Sequence, residues 1–321
     1  MLRLRFGLFA FVAASVALVA LCSTGAAVVQ LQLKLDKGKT YYQRMMVERH
    51  MTQTVMGQQQ VMDQSIGAGQ KLDVLDVDSQ GNMRIRYTFN WSLSKQTGPM
   101  GTVDYDSSKQ ATPPAGAEGF AALLGQSYIV KVSPKGEVLD VESAEQLREA
   151  LLKTLPPGAD KDPTMSAVTP YLEKKGIQEM TENTLAKYPG KPVEPGESWS
   201  TKRVVSIGFG IIVESKWTLQ KREAGAAILG VTASLRSNPD APPMDIGGMK
   251  LIFSVSGTQD GTIRMDEATG LIVLEQDRQQ LKGEIKVGEP GQDPPMMAIP
   301  VVFDTTIKFE ISDKMPASAA K

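Results

Sequence analysis

The stretch NMRIRYTFNWSLS, Asn82 to Ser94, decides the fold. Met83, Ile85, Tyr87, Phe89, Trp91 and Leu93 alternate with polar or charged neighbours. A period of two puts successive side chains on opposite faces of an extended strand. One face then meets a core and the other meets water, as in an antiparallel sheet covered on one side. The same period runs upstream. In VQLQLKLD, Val29, Leu31, Leu33 and Leu35 alternate with polar residues, and this stretch is expected to pair as a strand. In YYQRMMVERHMTQTVM, Tyr41, Met45, Val47, Met51 and Val55 share a face. Downstream, Val205, Ile207, Phe209, Ile211 and Val213 alternate within one strand, and Gly208 and Gly210, facing the other way, mark a bend or close packing. Strands this long imply curvature, as in an open barrel or a strongly twisted sheet.

Between KLDVL and MRIRYTFNW lies DVDSQGN, Asp76 to Asn82, which opens like a calcium loop. Such a loop needs an oxygen ligand at its fifth position and a bidentate Glu at its twelfth. Those positions are Gln80 and Tyr87, and strands rather than helices flank the segment. Asp and Asn before Gly are expected here as turn residues. Similar turns recur in SPKGEVLDVE (133–142) and DEATGLIVLEQD (266–277). KREAGAAILGVTASL (221–235) matches LDVDSQGNMRIRYTF (75–89), and EPGESWSTKR (194–203) matches DKGKTYYQR (36–44). The blocks keep their order, which is read as an internal duplication.

Helical signals are confined to the middle. Ser143 to Gln146 form a capping box ahead of Ala144, Leu147, Ala150 and Leu151. Met165, Val168 and Leu172 mark a second short helix, and a third spans about 177–187. A helical piece, GFAALLG (119–125), precedes a strand. Short amphipathic helices of this kind lie against a sheet rather than form a bundle. The expected organisation is a leader at 1–27, a β unit at 28–142, a helical connector at 143–191, a second β unit at 192–312 and a disordered tail at 313–321. The fold class is mainly β (α+β): two related antiparallel β units forming curved sheets or an open barrel.

The segments GKTYYQRMMVERHMTQTVMGQQQ, GTVDYDS and SYIVKVSPKGEVLDVES resemble a family of secreted bacterial proteins known only as a domain of unknown function. The likeness covers most of the chain beyond the leader and is most specific at TQTVMGQ and SPKGEV. It implies an exported β-rich fold and no established activity.

The chain opens MLRLRFGLFAFVAASVALVALCSTGAA. Arg3 and Arg5, an apolar run from Phe6 to Leu21 and small residues from Ser23 to Ala27 have the layout of a secretory signal peptide. Cleavage is expected after Ala26 or Ala27. The protein is therefore placed in the periplasm or at the cell surface. Bulky Leu21 before Cys22 speaks against lipid anchoring at that cysteine, the only one of 321 residues. No later apolar run is long enough for a transmembrane helix. With 35 basic and 36 acidic residues and no basic stripe, nucleic acid is not an expected partner.

Chemistry-bearing patterns are few. The single histidine, His50, lies mid-strand on the face opposite Met45, Val47 and Met51. No GxSxG elbow, HExxH helix or phosphate loop occurs. Met45, Met46, Met51, Met56, Met62 and His50 crowd one hairpin, a composition that suits Cu(I). Alternation splits them over two faces, so core filling is the preferred reading. No cofactor and no enzymatic activity are expected. The remaining idea is a concave apolar surface formed by Met45, Val47, Met51, Phe89, Trp91, Ile207, Phe209 and Ile211, holding a lipid or lipidated partner. The alternative is a structural or protein–protein interaction module without a ligand cavity.

Overall fold

A computed structural model describes residues 28–315 apart from 100, 155–170, 207–208, 247, 290 and 292–294. The expected leader, Met165, Val168, Ile207 and the tail from 316 lie outside the described residues.

Thirteen strands form one antiparallel sheet that does not close. The first half contributes β1 (Thr40–Val55), β2 (Gln58–Val77), β3 (Met83–Gly98), β4 (Gly101–Asp106), β5 (Ser127–Val132) and β6 (Val138–Val141). The second half contributes β7 (Ser198–Val205), β8 (Ile211–Glu223), β9 (Ala226–Ser237), β10 (Met244–Ile246), β11 (Met249–Asp266), β12 (Ile272–Val287) and β13 (Met297–Ser312). The main path runs β6-β5-β3-β2-β1-β13-β12-β11-β9-β8-β7, with β4 paired to β3 and β10 to β11. The fold is thus mainly β, and both halves share one sheet. The neighbour order β1-β2-β3-β5-β6 recurs as β7-β8-β9-β11-β12, and β13 joins the two sets.

The DVDSQGN segment is the β2–β3 turn. Asp78 accepts hydrogen bonds from the amides of Gln80 and Asn82, and Asp76 pairs with Lys37 at 2.9 Å.

Three helices are described: α1 (Glu118–Ala122), α2 (Ala144–Thr154) and α3 (Lys174–Asn183). The last starts and ends a few residues earlier than its sequence pattern implies. It shows how strongly the sheet curls. Laid flat, the ten spacings from β6 to β7 would separate these edges by about 48 Å. Yet α3, roughly 15 Å long, touches both. Glu182 accepts from the Val138 amide of β6 at 3.2 Å, and Lys174 bonds Asp140 at 2.6 Å. On the other side, Asn183 accepts from Arg203 of β7, and Glu179 accepts from the Ser206 amide at 2.7 Å.

The N-terminal stretch is a correction. Val29, Leu31, Leu33 and Leu35 are buried as their alternation implies, but they join no ladder. One bridge links Val29 to Val193. The Leu33 amide donates to Pro134 in the β5–β6 turn, and the Lys34 amide donates to Thr269 in the β11–β12 turn, both at 2.8 Å. The segment ties together turns that are distant along the sheet. Gly270 permits this contact. It sits at φ +73, and a Cβ there would lie 2.0 Å from the Gln32 carbonyl oxygen.

Leu33 belongs to the large core, beside residues from β2, β3, β5, β8 and β11. Leu33→Ala should cost about 2–5 kcal/mol in urea unfolding. Leu139→Ala, at a half-exposed β6 position, should stay within about 0.5 kcal/mol. An unshifted midpoint for Leu33→Ala would mean that the segment is dispensable.

Candidate functional site

Residues paired across antiparallel strands face the same side. On β1 the inner face carries Tyr41, Gln43, Met45, Val47, Arg49 and Met51. Two apolar clusters lie on this face. The larger contains Tyr87, Phe89, Tyr128, Leu147 and Trp217, with Met45 packed against it. The smaller contains Val213, Leu281 and Phe303, with Met51, Phe209 and Ile211 packed against it. Between them runs a transverse row of paired positions: Thr201, Ser215, Ala233, Gln259, Gln279, Thr305, Arg49, Gln64 and Gln96. All but Ala233 are polar.

Beside this belt is an apolar cavity of about 360 Å³. Ile66, Ala68 and Phe89 form its sheet wall, and Phe120, Leu123, Leu147, Tyr171 and Met180 form its helical wall. Amphipathic periodicity brings the helical residues here, as Leu147 and Leu151 of α2 turn their buried face to β5 and α3. The Ser143 hydroxyl, read from sequence as a cap, accepts from the Ile129 amide of β5 at 2.8 Å.

The structure divides the predicted surface. Phe89 lines the cavity. Met45 and Val47 sit opposite Ala68 and Ile66 on β1, next to the cavity's sheet wall. Met51, Phe209 and Ile211 belong to the other cluster, where Phe209 stacks on Phe253 at 4.6 Å. Phe209 is not in a strand. β7 ends at Val205, paired with Ile211, so Phe209 and Gly210 lie in the connection between β7 and β8. Gly210 adopts φ +61, the conformation of a turn.

Trp91 is the second correction. Gln70 pairs with Phe89 and Gly69 with Trp91, so Asn90 is an extra residue on β3. A bulge of one residue reverses the facing of the later residues on its strand. The Trp91 ring therefore lies on the outer face, against Gly67, with the Arg44 guanidinium 4.0 Å from its centroid. Its Nε1 donates to Asp106 at 3.0 Å. Trp91 reaches the cavity edge only from this displaced register. His50 is also outward and exposed, 2.7 Å from Asp63.

Charges occupy the inner face too. Burial pushes the Glu275 carboxyl well above the usual carboxylate range, and neighbouring Asp277 pushes it further. Burial also raises Asp277, partly offset by hydrogen bonds from Glu275 and Gln259. Arg203 lies near both and favours their ionised forms. Gly261, opposite Asp277, leaves the room that this carboxyl occupies. Arg49 is held below its ordinary pKa by burial. Its inward facing was legible in the sequence, as a cation in phase with Val47 and Met51. The cavity's helical residues carried no signal beyond amphipathicity.

Residues 80–272, more than half of the chain, match the model described as "Family of unknown function (DUF6263)", and the chain belongs to this family. No curated protein matches it. A structure titled "Lipid-protein interactions in lipovitellin" is similar at 11% identity and TM-score 0.48, over 88% of this chain and 26% of that one. The chain thus spans about a quarter of that protein's length. OccK7 (OpdD) of Pseudomonas aeruginosa is similar at 6% identity and TM-score 0.24, over 86% of this chain and 99% of that one. A DUF1329 family protein of Desulfovibrio piger is similar at 9% identity and TM-score 0.13, over 86% of each chain. Likenesses at these scores carry no functional argument.

The carboxyl pair makes a pH prediction. A carboxyl whose folded pKa is raised favours folding at low pH. That contribution is lost as pH rises from the ordinary carboxylate range through the folded pKa. Glu275→Gln removes the penalty. It should raise the melting temperature by about 2–4 °C at pH 8, with the gain vanishing near pH 4. An equal gain at both pH values would rule out this origin.

Proposed function

We propose that this member of the DUF6263 family is a non-enzymatic binding protein that takes an apolar ligand, or the lipid moiety of a partner, into the cavity between β2–β3 and the helices. The cavity carries the reading. Its volume of about 360 Å³ lies at the small end of the roughly 300–1,000 Å³ typical of ligand pockets. Among its lining residues, Ser92 and Tyr171 are the polar side chains facing it, so hydrophobic transfer would dominate binding. The wall differs from the one expected from sequence: Phe89 is shared and Trp91 reaches its edge, whereas Met45 and Phe209 are replaced by residues of the helices.

We further propose that the protein acts outside the cytoplasm, in the periplasm or at the cell surface. The leader-like layout of residues 1–27 supports this. Among the described residues no helix is long and apolar enough to cross a membrane.

The test is a titration of protein stripped of bound lipid with 1-decanol, followed by calorimetry. Wild-type protein should bind it. Ala68→Phe, which fills the cavity from the sheet side, should weaken binding at least tenfold while circular dichroism stays unchanged. Wild-type protein that binds neither 1-decanol nor its acidic counterpart, decanoate, would sink the cavity reading.

A further inference from the structure

We propose that Arg49 anchors the acidic head of a single-chain amphiphile, a carboxylate, whose tail fills the cavity described above. This inference rests on the reading of that cavity as a ligand site.

Position is the first argument. Arg49 pairs with Gln64, and Ile66 of the cavity wall is the next inward residue on β2. Arg49 is therefore one diagonal step from the wall, about 7–8 Å. From the opposite side, Tyr171 of the helical wall lies close enough for the two groups to interact electrostatically. The guanidinium thus sits where the apolar cavity meets the polar row of the inner face.

Charge balance is the second argument. Arg49 is half-buried, and a cation partly withdrawn from water is costly unless an anion or hydrogen-bond acceptors compensate it. Arg203, another inward arginine, is set among Glu182, Glu275 and Asp277. Arg49 has no carboxylate against it among the described residues. Its neighbours are the Phe303 ring, 5.9 Å from Cζ, and Tyr171. The inward residues flanking it across the ladder, Gln64 and Thr305, are neutral. The site offers one positive charge with hydrogen-bonding groups on both sides.

Those features select the head group. The planar guanidinium fork matches a carboxylate in a bidentate pair. One cation neutralises a monoanion, whereas a phosphate dianion would retain a buried charge. The cavity's size and apolar lining suit one acyl tail.

Decanoate, 1-decanol and decyl phosphate distinguish the parts of this proposal by calorimetry on the lipid-stripped protein. Wild-type protein should bind decanoate at least tenfold more tightly than 1-decanol. Arg49→Gln should lose that preference, with 1-decanol affinity changed less than twofold, and Arg49→Lys should keep part of it. Arg49→Met is made in parallel, so that a folding defect in one neutral variant leaves the other to decide. If decanoate and 1-decanol bind equally and Arg49→Gln changes neither, the anchor falls while the cavity reading stands. Tighter binding of decyl phosphate than decanoate overturns the carboxylate assignment. If wild-type protein binds none of the three, both readings fall.

Discussion

The structure depends on how an open sheet manages its two edges. Strands β6 and β7 end the path and do not pair with each other. Unpaired edge amides and carbonyls must find partners or remain in water. Here α3 supplies carboxylates to the Val138 and Ser206 amides, one at each side of the opening. The extended segment at 29–35 adds bonds to the β5–β6 and β11–β12 turns. Its leucines fill the space that closure would otherwise have removed. The same helix presents Met180 to the cavity. Closing the gap and roofing the cavity are therefore one construction.

The inner face is not a uniform apolar surface. A row of Gln, Thr, Ser and Arg side chains crosses it and separates two hydrophobic clusters. Burying such groups is tolerable only where they bond one another. Gln279 donates to Gln259 at 3.0 Å, and Gln259 donates in turn to Asp277. Arg203 balances the carboxyl pair from a strand four steps away on the sheet path, which only a tightly curled sheet permits. Polarity of this kind gives the inner face hydrogen-bonding positions that a purely apolar trough lacks.

Much of this was legible in the residues. Alternation through Met83, Ile85, Tyr87 and Phe89 identified buried positions, and all four are in the core. It failed at Trp91 because Asn90 adds one residue to β3, and a bulge leaves no mark in a period-two count. It failed at Phe209 because an apolar residue in the connection between two strands imitates a continuing strand. Gly210, with its positive φ, was the available warning. The polar positions Gln43 and Arg49 lay in phase with the apolar ones, but a search for hydrophobic periodicity passes over them.

The sequence by itself determined that the chain forms long antiparallel strands, where its turns fall, and which side chains of the regular strands are buried. Those are local properties, carried by a two-residue period and by Asp, Asn and Gly at turns. Tertiary structure alone decided that Val29–Leu35 threads between turns instead of pairing. It also decided that α3 bridges the open edges, that Trp91 faces outward and that Arg49 stands one ladder step from Ile66 of the cavity wall. Each depends on contacts between residues far apart in the chain, set by ladder register and sheet curvature.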